Sequence, residues 1–268
     1  MRFSFAVLLI ALLGGCVPAS TDIHLEVGQP LVQSSLLEAS THRYVRYLVT
    51  TDGARKLLDI WSRRLTVEVP PAGGQRAIHI HQRWDRADGT RVLAQDSWFE
   101  EGTLRPLTHV QRVDQDGKAT ISGFRFTDRE IVGMKDLTGN RQADFKLDQD
   151  EAHFNFIYDQ ELLQTLPLTG GRQFDIPFYD PGADRAPNRY KFVVAGSARV
   201  RGPDGKSIDC WLVTTDYNKG KIKARFWLAK RNQIVIREER YLDDGSLLLK
   251  ALLPPEPSDE WGPDEYRR

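Results

Sequence analysis

His79 and His81 stand two residues apart in "RAIHIHQRW", a spacing that turns both imidazoles to one side of an extended strand, as a metal pair requires. Ile78, Ile80 and Trp84 take the opposite, apolar side, and no third ligand is identifiable, so the pair reads as solvated polar surface and no metal is expected. Lys219, Lys221, Lys223 and Arg225 alternate in the same way, with Trp227 next in line and Ile222, Ala224 and Phe226 behind. A strand beginning near 219 makes them a basic stripe that could meet phospholipid headgroups or an anionic partner, each cation contributing about 1 kcal/mol at an anionic surface. The plainer use of the same pattern is a charged solvent face. Asp175, Asp180 and Asp184, near Tyr179, match no EF-hand spacing and sit among Pro177, Pro181, Gly182 and Pro187, which mark a turn-rich connection. Cys210 lies in the alternating run "SIDCWLVTTDY" and is expected to be a buried, inert thiol. The chain lacks G-x-S-x-G, H-E-x-x-H, a Walker loop and a dinucleotide fingerprint. No catalytic residue and no cofactor is expected.

The elements that must carry these residues read mainly as strands. Asp-Gly recurs at Asp52-Gly53, Asp88-Gly89, Asp116-Gly117, Asp204-Gly205 and Asp244-Gly245. The pair tolerates positive φ, as tight hairpins demand, so these sites predict reversals between neighbouring antiparallel strands. Between them run segments of period near two, with Leu65, Val67 and Val69 on one face of their strand and Arg64, Thr66 and Glu68 on the other. About eleven such strands predict one curved antiparallel sheet or half barrel over 42–253. One segment departs from the pattern. Phe154, Ile157, Glu161, Leu162 and Leu166 approximate a helical spacing that Pro167 and Gly170-Gly171 end, which predicts a single helix near 154–166 packed into the concave side. Its clustered Leu162, Leu163 and Leu166 are candidates to line a ligand cavity. The aromatics Trp61, Trp84, Trp98, Phe99, Phe124, Phe126, Trp211, Phe226 and Trp227 either fill a core or line that cavity, and the pattern leaves both open.

The 268 residues carry 37 basic and 37 acidic side chains, a balance that argues against nucleic acid as a partner. With 28% charged and 40% hydrophobic residues the chain has the composition of a folded globule. At its start, Arg2 precedes the apolar run Phe3 to Leu13, which is too short to span a bilayer and reads as a signal peptide over 1–15. Residues 16–41 are expected to form a tether, and 254–268, with four prolines and five acids, a flexible tail. Only Cys16 and Cys210 exist, so no intramolecular disulfide is expected once Cys16 is modified.

Two resemblances add to this reading. Leu13-Gly14-Gly15-Cys16 resembles the lipobox of bacterial lipoproteins, in which the cysteine accepts a diacylglyceryl group; Val17 after it resembles the signal for the periplasmic side of the outer membrane. Three segments, "DSWFEEGTLRPLTHV" (96–110), "FNFIYDQELLQTLPLTGGRQFDIPFYDPG" (154–182) and the run from Asp209 to Leu253, resemble an uncharacterised family of exported bacterial proteins with a half barrel like that of LolA and LolB. That resemblance implies binding of a lipid, an acyl chain or a lipoprotein in the hollow of the sheet, and it supplies no catalytic residue. The alternatives are an assembly lipoprotein with a filled core that docks proteins on its sheet, and a hydrolase without a recognised motif.

Overall fold

The computed structural model describes residues 22–71, 73–88, 90–115, 117–182 and 186–255. Cys16, the signal segment, Asp184 and most of the acidic tail lie outside them. Sixteen strands form one sheet among the described residues. They are β1 (Asp22–His24), β2 (Ser40–Val49), β3 (Arg55–Glu68), β4 (Ala77–Asp85), β5 (Arg91–Glu100), β6 (Pro106–Gln115), β7 (Lys118–Phe126) and β8 (Glu130–Gly133), followed by β9 (Lys146–Asp148) and β10 (Phe154–Asn155). After the helical segment come β11 (Gln173–Tyr179), β12 (Asn188–Arg201), β13 (Ser207–Thr215), β14 (Ala224–Ala229), β15 (Val235–Tyr241) and β16 (Leu247–Leu252). The order across the open, curved sheet is β1-β11-β12-β13-β14-β15-β16-β2-β3-β4-β5-β6-β7-β8-β9, with β10 beside β11. The two halves of the meander are therefore joined by β16 against β2, where Leu252 faces Tyr44 and Leu247 faces Val49.

The eleven expected strands are present, and five more bring the total to sixteen. Four of the five are short or lie where the pattern is broken. In β11, Pro177 argues against a strand, yet the ladder leaves room for it. The Asp175 carbonyl accepts from the Leu25 N–H on the β1 side at 3.0 Å, so Pro177, two residues on, faces the same side. There β1 ends opposite Asp175 and β10 begins opposite Phe178, so the missing N–H falls in a gap. Residues 22–41 are not wholly a tether: β1 pairs with β11, and Leu25 and Leu37 are buried in the main core.

All five Asp-Gly sites connect consecutive hairpin strands. Asp52, Asp88, Asp204 and Asp244 each accept a hydrogen bond from the backbone N–H two residues on, at 2.8 to 3.2 Å. Gly53, Gly117, Gly205 and Gly245 take positive φ, the left-handed state that the reversal requires.

The expected helix over 154–166 is shorter in the structure. Phe154 and Asn155 are a strand, Phe156–Tyr158 a 3-10 turn, and α1 spans Asp159–Gln164. The Asn155 side chain caps the turn by accepting from Ile157 N–H at 3.0 Å, and the Tyr158 hydroxyl anchors it by donating to the Leu104 carbonyl at 2.8 Å. Leu162, Leu163 and Leu166 pack with Ile78, Ile80, Phe99, Phe174, Phe192 and Phe226 in the main core. Each buried leucine stabilises the domain by about 1.5–3 kcal/mol.

The inner face also holds polar groups. His109 in β6 is 2% exposed, and its Nδ1 lies 2.8 Å from Ser97 Oγ. Burial holds its pKa down at about 4, against an ordinary 6.5. The native state keeps this imidazole neutral while the unfolded chain takes up a proton, so stability present at neutral pH is lost as pH falls from 6.5 towards 4. The shift corresponds to about 3 kcal/mol. In urea titrations His109→Gln is expected to flatten that part of the stability–pH curve; an unchanged slope would contradict the assignment.

Candidate functional site

The hairpin turns sort to two ends of the sheet. The connections that follow β2, β4, β11, β13 and β15 share one end, because these strands run towards it and their antiparallel partners return from it. The opposite end is closed by segment 25–37 and the chain after α1: Leu31 N–H donates to the Gly102 carbonyl at 2.9 Å and Gln33 N–H to the Thr165 carbonyl at 3.1 Å. Gln233 in the turn before β15 completes the closure, donating to Gln33, Gln164 and Leu166. The sheet and its helix thus make a cup.

A cavity of about 610 Å³ occupies the end away from this closure. Its floor is Phe156, Ile157 and Asp159, at the start of the helical segment; its walls are Arg46, Trp61, Gln82, Trp84 and Gln95 on one side and Phe178, Tyr217, Arg240 and Lys250 on the other. Lys219, Lys223, Asp180, Leu242 and Asp243 stand at the turns around it. Phe156 stacks on Phe178 at 4.4 Å and meets Tyr217 edge-on at 6.0 Å, while Trp61 stacks on Trp84 at 5.5 Å.

Charged side chains in the apolar phase of four strands give the cavity its electrostatics. Arg46 of β2 binds Asp59 of β3 through two contacts of 2.6 Å. Lys250 of β16 donates to Glu238 of β15 at 2.7 Å, and Arg240 lies 3.4 Å from the same carboxylate. Glu238 also accepts from Gln160 of α1 at 3.0 Å. Burial would raise its pKa, yet Lys250 and Arg240 hold it below the ordinary value. Beneath the floor, Arg63 of β3 forms a two-point pair with Glu161 of α1, donates to Gln82 Oε1 at 2.8 Å and reaches the Ile157 carbonyl at 3.2 Å. Arg63 and Lys250 each lie 4.4 Å from the Trp61 ring centroid. Asp159 stands apart. It is 5% exposed and makes no hydrogen bond or ion pair with the described residues; burial and the Glu238 charge push its carboxyl well above the usual carboxylate range.

The sequence candidates distribute unevenly over this geometry. Strand β14 begins at Ala224, so Lys219, Lys221 and Lys223 lie in the preceding turn and form no continuous stripe with Arg225 and Trp227. Lys219 and Lys221 are exposed, whereas Lys223 is buried against Asp243 at 2.6 Å. Lys219 and Lys223 line the cavity; Arg225 stacks on Tyr241 and Trp227 under Arg237, on the face opposite the core residues Ala224, Phe226 and Leu228. Leu162, Leu163 and Leu166 belong to the packed core and not to the cavity, so the hollow lies beside the helix start and not beneath the helix. His79 and His81 are tied down instead of solvated. They lie 3.0 and 2.8 Å from Asp96 Oδ1, and His79 stacks on Trp98 at 4.3 Å. Burial would raise Asp96, but these two histidines hold its pKa at about 2. Among the described residues no group of His, Cys, Asp and Glu is placed to hold a metal ion. Asp175 binds Arg189 at 2.8 Å. The Cys210 thiol is buried, which pushes its pKa up to about 11 and suppresses the nucleophilic thiolate. Among the described residues no helix is long and apolar enough to cross a membrane.

Comparison with solved structures finds likeness at low identity. A β-barrel-like protein of the domain of unknown function DUF1849 from Brucella abortus is 12% identical, with 80% of this chain and 97% of that chain covered and a TM-score of 0.48. A DUF1329 family protein from Desulfovibrio piger ATCC 29098 is 10% identical, over 82% of this chain and 86% of that chain, with a TM-score of 0.32. No curated protein matches the chain. The sequence profile of the family "Protein of unknown function (DUF3108)" matches residues 46–253, from the middle of β2 to the end of the sheet, and the chain belongs to that family.

Proposed function

We propose that this protein is a non-catalytic lipoprotein of the bacterial cell envelope that holds a small amphipathic ligand, a lipid or an acyl compound, in the open end of its cup. The observation that carries the reading is the cavity of about 610 Å³, within the range of about 300–1,000 Å³ typical of small-molecule sites. Its Phe156–Phe178 and Trp61–Trp84 pairs suit an apolar body, and its charged floor suits a polar end. In this reading the sheet plays the part that the half barrel plays in LolA and LolB, with the interior under the helix filled and only one end hollow.

Anchoring through Cys16 orients the cup. Five residues separate Cys16 from β1, a reach of at most about 20 Å. Strand β1 pairs with the first residues of β11, at the end opposite the cavity. The closed end then rests near the periplasmic side of the outer membrane and the mouth faces away from it.

Native mass spectrometry with lipid extraction, on the chain from Val17 expressed in the periplasm, tests the binding reading. A stoichiometric co-purifying amphiphile is the expected result. A clean apo mass that persists after incubation with envelope lipid extract would overturn it and favour the protein-docking alternative. For the anchor, Cys16→Ser is expected to abolish labelling by a fatty-acid probe; label that persists would contradict it.

A further inference from the structure

We infer that the floor of the cavity is a binding site for an ammonium group, so that the ligand is an amphiphile with an apolar body and a primary-amine end seated against Asp159 and Gln95. The inference rests on the ligand-binding reading and narrows it to one chemical class. Asp159 is 5% exposed, lines the cavity and has no donor among the described residues. A desolvated carboxylate left in that state is costly. Gln95, 3% exposed and on a wall of the same cavity, donates through Nε2 to Gln111 at 2.7 Å, and its Oε1 is buried with no donor. Asp159 and Gln95 thus present acceptors without a donor to the cavity, while Tyr217 Oη and Arg240 Nε, on the other wall, are also buried without a hydrogen-bond partner.

Four of the five described cations around the cavity are committed: Arg46 is held by Asp59, Lys250 by Glu238 and Lys223 by Asp243, while Arg240 lies between Glu238 and the Tyr217 ring; Lys219, the fifth, is exposed at the rim. An anionic ligand would have to compete with these carboxylates. An ammonium supplies what Asp159 and Gln95 lack, and Phe156 in the same cavity offers an apolar surface.

The groups that face Asp159 are Glu238, Arg240 and Lys250 from β15 and β16, Arg63 from β3, Tyr44 from β2 and Tyr217 from the turn before β14. Its carboxyl is held above the ordinary range, so the ionised form that pairs with an ammonium is lost as pH falls through mildly acidic values, while an alkylammonium stays charged throughout. The affinity for an amine should therefore rise with pH.

The test is calorimetric titration of the chain from Val17 with octylamine, octanol and octanoate, which share one apolar body. At about pH 8, octylamine is expected to bind at least about tenfold more tightly than octanol, with the gap narrowing at about pH 5. Asp159→Asn is expected to erase the gap between octylamine and octanol. Gln95→Leu should narrow it as a second variant, and the pH profile of the unmodified chain stands if either variant fails to fold. Octanol binding with no preference for octylamine, or a preference for octanoate, overturns the inference alone. Binding of none of the three overturns the cavity reading and the inference with it.

Discussion

Replacing Arg63 by Ala is expected to lower the unfolding free energy by about 3 to 5 kcal/mol, the loss typical when one member of a buried ion pair is removed. The guanidinium is 3% exposed and makes four contacts across the cup, two to Glu161, one to Gln82 and one to the Ile157 carbonyl. Truncation leaves the Glu161 carboxylate facing the apolar interior and releases α1 from β3. For a domain whose total stability is about 5–15 kcal/mol, the variant becomes marginal. The double variant Arg63→Met with Glu161→Met should recover most of the loss, because well-packed apolar groups can replace a buried pair at little cost. Urea midpoints measure both; a shift of less than about 1 kcal/mol for Arg63→Ala would show that the pair does not hold the helix.

Glu238→Ala is expected to cost a similar 3 to 5 kcal/mol, roughly, for the opposite reason. Glu238 is fully buried, and its removal leaves Lys250 and Arg240 on the inner face without their carboxylate. Burial already lowers the Lys250 pKa, with Glu238 as the main opposing influence, so in the variant Lys250 should titrate lower still. The two losses should not add. Arg63 holds α1 through Glu161 and Glu238 holds it through Gln160, so once one tie is cut the second has less to hold. A double variant Arg63→Ala with Glu238→Ala that loses the full sum would contradict this coupling through the helix.

Much of the sheet is legible in the chain because its hairpins are punctuated locally. An aspartate that accepts from the N–H two residues on, followed by a glycine free to adopt positive φ, marks a reversal whatever the tertiary context. Strands such as β1 and β10 carry no such mark; they are three and two residues long and exist because β11 offers them an edge. Strand β11 itself is hidden by Pro177, whose tolerance depends on a gap that only the assembled ladder shows.

The cavity is harder to read. Arg63 shares its phase with Trp61 and Leu65, and that is the signal available in the sequence: a charge in the apolar phase of a strand. Nothing local tells Arg63 that Glu161, far along the chain, will meet it, or that Asp159 will meet no partner. The Lys219–Arg225 alternation misleads for a related reason. Alternation persists in the sequence after the strand has ended, and the strand begins at Ala224 because the chain from Asp216 turns back on itself, with Lys219 N–H donating to the Asp216 carbonyl at 3.0 Å. The leucines of α1 are apolar because they fill the closed part of the cup, and the hollow begins where the helical segment offers Phe156, Ile157 and Asp159 instead.

The most direct test of a ligand site at the open end is photoaffinity labelling with a diazirine-bearing octyl probe, mapped by peptide mass spectrometry with unlabelled octanol as competitor. The account predicts saturable label on the peptides that carry Trp84, Phe156 and Tyr217. Saturable label confined to the outer-face residues Arg225 and Trp227, or no saturable label at all, would contradict it.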